Sequence, residues 1–146
     1  MPSVIAHPTV KSIRETMNNA ENTRLIKWLL LELETGPRLV DANYLTFLHQ
    51  VITDFHRFLA GVIDVVTARK LALAIHRYAR TSIEEPTRYL YRMLGHAVAT
   101  IHVKTHAFGF VYYWFRYIKE TKPTELLEAI STYQKRVRAL GEKSHA

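Results

Sequence analysis

Apolar residues recur at steps of three and four through most of the chain, the period that stacks side chains on one face of an α-helix. The first clear helix spans Asn22–Glu34, with Asn22 as its cap and Gly36-Pro37 as its stop. Asp41 starts the second, in which Leu45, Leu48, Ile52, Phe55 and Leu59 share a face, and Gly61 ends it where a left-handed residue is needed. The third opens at Asp64 or Thr67, carries Leu71, Ile75 and Tyr78 inward and breaks at Thr81-Ser82. Ser82 and Glu85 have capping-box spacing, while Pro86 equally suits a first helical position. Either opens a fourth helix with Tyr89, Leu90, Met93, Leu94, Ala97 and Ile101 inward.

A fifth helix, Thr105–Lys119, differs in kind. From His106 to Phe115 it is apolar or aromatic nearly all round, which suits a helix at the centre of a bundle or at an interface. Aromatic and β-branched residues also favour strands, but no partner strand is visible elsewhere, so helix is preferred. Pro123 starts the last helix, with Leu126, Leu127, Ile130, Tyr133, Val137 and Leu140 as its stripe and Gly141 at its end. Lys135, Arg136 and Arg138 lie near its C-terminus, where the helix dipole favours cations. The pattern predicts an all-α, single-domain bundle of about six helices with a central aromatic-rich helix. Its helical core covers residues 22–140, and residues 1–10, with Pro2 and Pro8, read as a loose N-terminal arm.

Size and composition narrow the function classes. At 146 residues and 48% hydrophobic content the chain has enough apolar material for a core without disulfides or metal. It has no cysteine, which removes disulfides, thiolate nucleophiles and cysteine zinc sites together. Met1–Thr9 lacks the basic start and apolar run of a signal peptide, and no apolar run approaches a membrane span. A cytoplasmic protein is the expectation. The net charge of +7 points toward acidic partners, nucleic acid or acidic lipid.

Candidate chemistry concentrates between Gly95 and Gly109. His96, His102 and His106 fall within eleven positions, and His102 and His106 share a face if the helix is continuous through Val103–Thr105. Imidazoles at that spacing can bind zinc, yet Val103 stands where a metalloprotease helix needs glutamate and no carboxylate lies in the segment. The three histidines thus read as helix-packing residues, as metal ligands or as acid–base groups, with packing preferred and no cofactor expected. Gly95 and Gly109 read as sites of close helix approach. Glu32, Glu34, Glu84 and Glu85 read as solvated surface. Arg69, Lys70, Arg77, Arg80, Arg88 and Arg92 form a candidate basic patch, read as charged surface in preference to a nucleic-acid groove. Tyr112, Tyr113, Trp114 and Tyr117 are candidates for an interface, including one between two copies of the chain.

Two stretches carry a family resemblance. Gly95-His96-Ala97-Val98-Ala99-Thr100, with His102-Val103, Thr105-His106-Ala107 and Gly109, resembles a motif of putative immunity proteins. These are the immunity-protein-five-like sequences of bacterial polymorphic-toxin systems. His56-Arg57-Phe58-Leu59-Ala60-Gly61-Val62, Val66, Ala68-Arg69-Lys70, Ala74, His76 and Ala79-Arg80 resemble that family's two helices joined by a glycine-ended turn. The resemblance implies a non-enzymatic protein that neutralises a toxin by direct binding. The basic charge then points to a toxin surface that is acidic or neutral. The alternatives are a small metal-binding protein or enzyme using His96, His102 and His106, and a basic nucleic-acid-binding module.

Overall fold

The periodicity becomes seven α-helices in the computed structural model, which describes residues 3–36, 41–81 and 84–141. They are α1 (Pro8–Asn19), α2 (Asn22–Thr35), α3 (Ala42–Leu59), α4 (Val65–Thr81), α5 (Glu85–Ala99), α6 (Ala107–Thr121) and α7 (Leu126–Gly141). Short 3-10 turns occupy Val4–Ala6, Lys104–His106 and Pro123–Glu125, and no strand occurs among the described residues.

The helix missing from the expected six is α1. Val10, Ile13 and Met17 recur at helical steps and are fully buried, and Val4 ahead of them is buried too. Of the segment expected as a loose arm, the part from Val4 to Val10 therefore packs onto the bundle, while Pro2 lies outside the described residues. Its apolar stripe is one residue wide and interleaved with Lys11, Ser12, Arg14 and Glu15, so the helix reads as polar. Pro8, read as loop punctuation, sits in the first turn, where a missing N–H costs nothing, and His7 Nδ1 accepts the Thr9 N–H at 3.1 Å.

Local capping chemistry sets the remaining boundaries. Asp41 Oδ1 accepts the N–H of Asn43 at 2.8 Å and opens α3. Asp64 Oδ1 takes the Thr67 N–H at 3.1 Å and opens α4. The cap of α2 is Glu21, whose carboxylate accepts from Thr23 and Arg24; Asn22, the expected cap, is the first helical residue. Gly61, at φ +74°, closes α3. Its N–H bonds the Phe58 carbonyl and the Val62 N–H bonds the Arg57 carbonyl, the paired pattern that satisfies the last carbonyls of a helix. Ser82 lies outside the described residues, so its proposed partnership with Glu85 does too; Pro86 stands in the first turn of α5. Phe108–Phe115, the segment with strand-like composition, is helical within α6.

The buried side chains of all seven helices join in one hydrophobic cluster. Helix α5 packs against α3, α4 and α6; α6 also meets α1 and α7; α2 meets α3 and α7. The aromatic α6 was the expected centre, but α5 is the more enclosed: nine of its fifteen residues are buried, against six of fifteen in α6. Gly95, Ala97 and Ala99 let neighbours close around α5, whereas Tyr112, Tyr113 and Tyr117 of α6 are only half-buried. Tyr91 is fully buried and its hydroxyl donates to Asp41 Oδ2 at 3.2 Å, tying α5 to the start of α3. Helix α4 is an outer helix. Its inner face is Ala68, Ala72, Ile75 and Ala79, with Leu71 and Tyr78 only half-buried beside it. Leu127, expected in the α7 stripe, is 70% exposed, because Leu126 takes the inward position at the first turn.

One polar tie joins distant parts of the bundle. Glu32, expected at the surface, is only 8% exposed and bonds Arg136 Nη1 at 3.0 Å, while Trp28 Nε1 donates to the Arg136 carbonyl at 3.1 Å. Removing the guanidinium leaves Glu32 poorly solvated and uncompensated. Arg136→Met should lower unfolding stability by about 2 kcal/mol, more than Glu32→Gln does, as read by urea denaturation. Equal, small losses in both variants would show that the pair is merely superficial.

Candidate functional site

Helices α4, α5 and α6 meet through a repeated device in which an imidazole lies against a glycine of the next helix. Successive helical residues point about 100° apart, so adjacent Gly95 and His96 serve two different neighbours. Gly95 faces α4: a Cβ placed there would stand 2.7 Å from the His76 ring. His96 faces α6, where a Cβ on Gly109 would approach its ring to about 2.5 Å. The glycines are therefore needed because imidazoles occupy the space a methyl group would take, which is how close helix approach is achieved here. The His76 and His96 rings meet edge to face at 5.1 Å between centroids.

His106 completes the cluster from the turn before α6. Its Nδ1 lies 3.2 Å from His96 Nδ1, so one imidazole donates and the other accepts. Burial pushes the His96 imidazole down to about 3, helped by His76, His106 and Arg92. Burial likewise pushes His76 down to about 4, helped by Arg92, His106 and Arg80. His106 is lowered by burial and by His102. The charged groups bearing on the three rings are all cationic or imidazole, so the rings are neutral near pH 7. His76 Nδ1 is buried without a hydrogen-bond partner among the described residues.

A chain of aromatic and polar contacts continues from His96 along α6. Tyr113 stacks on His96 at 5.2 Å and on Tyr89 at 6.0 Å. Arg116 lies over the Tyr89 ring at 4.8 Å and donates to the hydroxyls of Tyr89 and Tyr112, each at 2.8 Å. The Tyr89 hydroxyl in turn donates to Glu85 at 2.7 Å. These hydrogen bonds, that of Tyr112 first, hold Arg116 protonated.

The predicted site residues divide accordingly. Gly95, His96, His106 and Gly109 come together as a unit, and His76 joins them. His102 does not: α5 ends at Ala99, Val103 is extended and a 3-10 turn follows, so His102 and His106 share no helix face and His102 is exposed. The set His96, His102 and His106 is therefore not assembled as one ligand trio, and no trio of metal-ligating side chains occurs among the described residues. Thr100 is buried and its hydroxyl donates to the His96 carbonyl at 2.9 Å, while Thr105 is exposed. Tyr112 and Tyr113 already have partners within the chain. Trp114 and Tyr117 stack on each other, and Trp114 lines a groove of about 390 Å³ with Glu125, Glu128 and Thr132. Of the basic patch, Arg69, Lys70, Arg77 and Arg80 are exposed on α4, whereas Arg88 and Arg92 are half-buried on α5. His76 was visible in the sequence, but twenty positions from His96 no spacing rule links them.

A family model described as "Imm-5 like putative immunity protein" matches residues 15–141. No curated protein and no solved structure matches the chain.

Two outcomes follow from this geometry. Gly109→Ala should destabilise the protein by about 1–3 kcal/mol despite alanine's better helix propensity, because the Cβ meets the rigid base of the His96 side chain. Gly95→Ala should cost less, since it meets the movable end of His76. A double-mutant cycle with His96→Ala should recover most of the Gly109→Ala loss; strict additivity would disprove the contact. Acidification provides the second. Above pH 6.5, the ordinary histidine value, both folded and unfolded chains keep His76 and His96 neutral. Between 6.5 and about 4 the unfolded chain binds protons that the folded chain refuses, so stability falls as pH falls through that window. The urea midpoint should drop between neutral pH and about pH 5, and less so in His76→Gln/His96→Gln. An identical drop in that variant would assign the effect elsewhere.

Proposed function

The chain belongs to the Imm-5 like putative immunity protein family, and from that premise we propose that it neutralises a toxin by direct binding, without catalysis of its own. The family match over residues 15–141 carries this reading. The packing of the histidine cluster supports it. The clustered imidazoles of His76, His96 and His106 are each engaged with a glycine, a tyrosine or another imidazole of the same chain, as expected of a scaffold that holds a binding surface in shape. A tight-binding inhibitor needs a preformed surface with a few buried anchors, and no reactive group. The basic charge favours a toxin whose contact surface is acidic or neutral. Its place of action on this reading is the cytoplasm of the cell it protects. No helix among the described residues is long and apolar enough to cross a membrane.

The test is protection. The tagged chain is recovered from lysate of its own host, treated with nuclease and washed at moderate salt, and its stoichiometric partner is identified. That partner is then expressed alone and with the chain. Death of cells that express the partner alone, and survival when the chain is present, is the expected result. A harmless partner, or a toxic one whose lethality the chain leaves unchanged, would overturn the proposal.

A further inference from the structure

The outer face of α4 has an unusual make-up. The helix carries Arg69, Lys70, Arg77 and Arg80 and not one acidic residue along Val65–Thr81. None of these four cations makes an ion pair among the described residues. Interleaved with them are apolar side chains left in water: Val66 is 53% and Leu73 52% exposed, and Val65 at the start of the helix and Val62 in the preceding turn are exposed as well. Val66, Arg69, Leu73, Arg77 and Arg80 follow one another at steps of three and four, so they form a single stripe, about 20 Å long at 1.5 Å per residue. The stripe runs opposite the buried Ala68, Ala72, Ile75 and Ala79. The His76 ring against Gly95 holds the helix in place from within.

We infer that this stripe is the toxin-docking surface, and that it takes an acidic protein face with apolar side chains set between its carboxylates; the inference rests on the immunity reading above. Charge complementarity decides the occupant. A second copy of this chain, paired symmetrically through α4, would set arginines against arginines, which like-charge repulsion opposes. A membrane-lying helix presents bulky aromatic and leucine side chains to the acyl chains. Here the exposed apolar residues are three valines and one leucine, too small a wedge for that. Nucleic acid would use the arginines and leave Val66 and Leu73 in water. An acidic protein surface satisfies both halves of the stripe. The aliphatic residues make the dry contacts, and the arginines set between and beyond them pair with carboxylates and accelerate encounter.

The experiment compares two charge-matched triple variants of the full chain. Arg69→Glu/Arg77→Glu/Arg80→Glu reverses the stripe, and Lys11→Glu/Lys135→Glu/Arg138→Glu reverses three exposed cations of α1 and α7 by the same net charge. Both sets are at the surface, and thermal denaturation checks that both variants fold. The first probe is an amphipathic helical peptide with glutamates on its polar face and leucines on its apolar face. Wild type and the α1/α7 variant should bind it with backbone protection confined to α4, and the α4 variant should bind at least tenfold more weakly. The second readout is protection against the toxin recovered as above. The α4 variant should lose protection and associate about ten- to a hundredfold more slowly at low salt, while the α1/α7 variant keeps both. Equal peptide binding by the two variants, or full protection by the α4 variant, would overturn the inference. So would preferential capture of wild type through α4 by anionic vesicles or duplex DNA over the peptide. If the peptide docks on α4 but wild type protects against no toxin, the immunity reading fails and the acidic-protein surface stands.

Discussion

The structure depends on two positions where a helix gives up its side chain so that an imidazole can lie against its backbone. Gly95 accepts the His76 ring and Gly109 accepts the His96 ring, so α4, α5 and α6 are spaced by the same contact used twice. A glycine inside a helix costs about 1 kcal/mol relative to alanine. What offsets it is the area of ring and backbone brought together, along with the alanine face of α4, which has nothing large enough to hold that helix away. A helix set down in this manner has little freedom to slide, because the rings occupy discrete sites.

The same contact fixes the electrostatics of the interior. Three imidazoles lie close together, buried and with cations as their charged neighbours, so each resists protonation and the group acts as neutral packing, with His96 and His106 hydrogen-bonded to each other. Tyr113, Tyr89 and Arg116 carry the order outward along α6 and end at Glu85, on the first turn of α5. A seam that begins as apolar packing between α4 and α5 thus finishes in a charged hydrogen-bond chain at the opposite end of α5. Within that chain Tyr112, Arg116, Tyr89 and Glu85 satisfy one another's polar groups.

Division of labour between inside and outside follows. The residues with the richest chemistry are spent on shape, and the unpaired charge lies on the outer face of the helix that the histidine contact positions. On the proposed binding role, rigidity beneath the contact surface is useful, since a preformed surface loses less entropy on association.

Much of what depends on neighbours within four residues was legible in the sequence alone, although the cap of α2 is Glu21 and not Asn22. Helical periods, the Asp41 and Asp64 caps and the left-handed turn at Gly61 are local, and the histidine–glycine segment was legible as a unit. Helix α1 was missed because its stripe of Val10, Ile13 and Met17 is too narrow to stand out until α6 and α7 cover it. Glu32 read as surface because its partner, Arg136, is more than a hundred residues away. The break after Ala99 removed His102 from the cluster, and the packing of α4 on α5 brought His76 into it. Those outcomes were decided by the tertiary structure, because proximity across long chain separations is set by how faces close on one another. A short-range pattern holds no record of that.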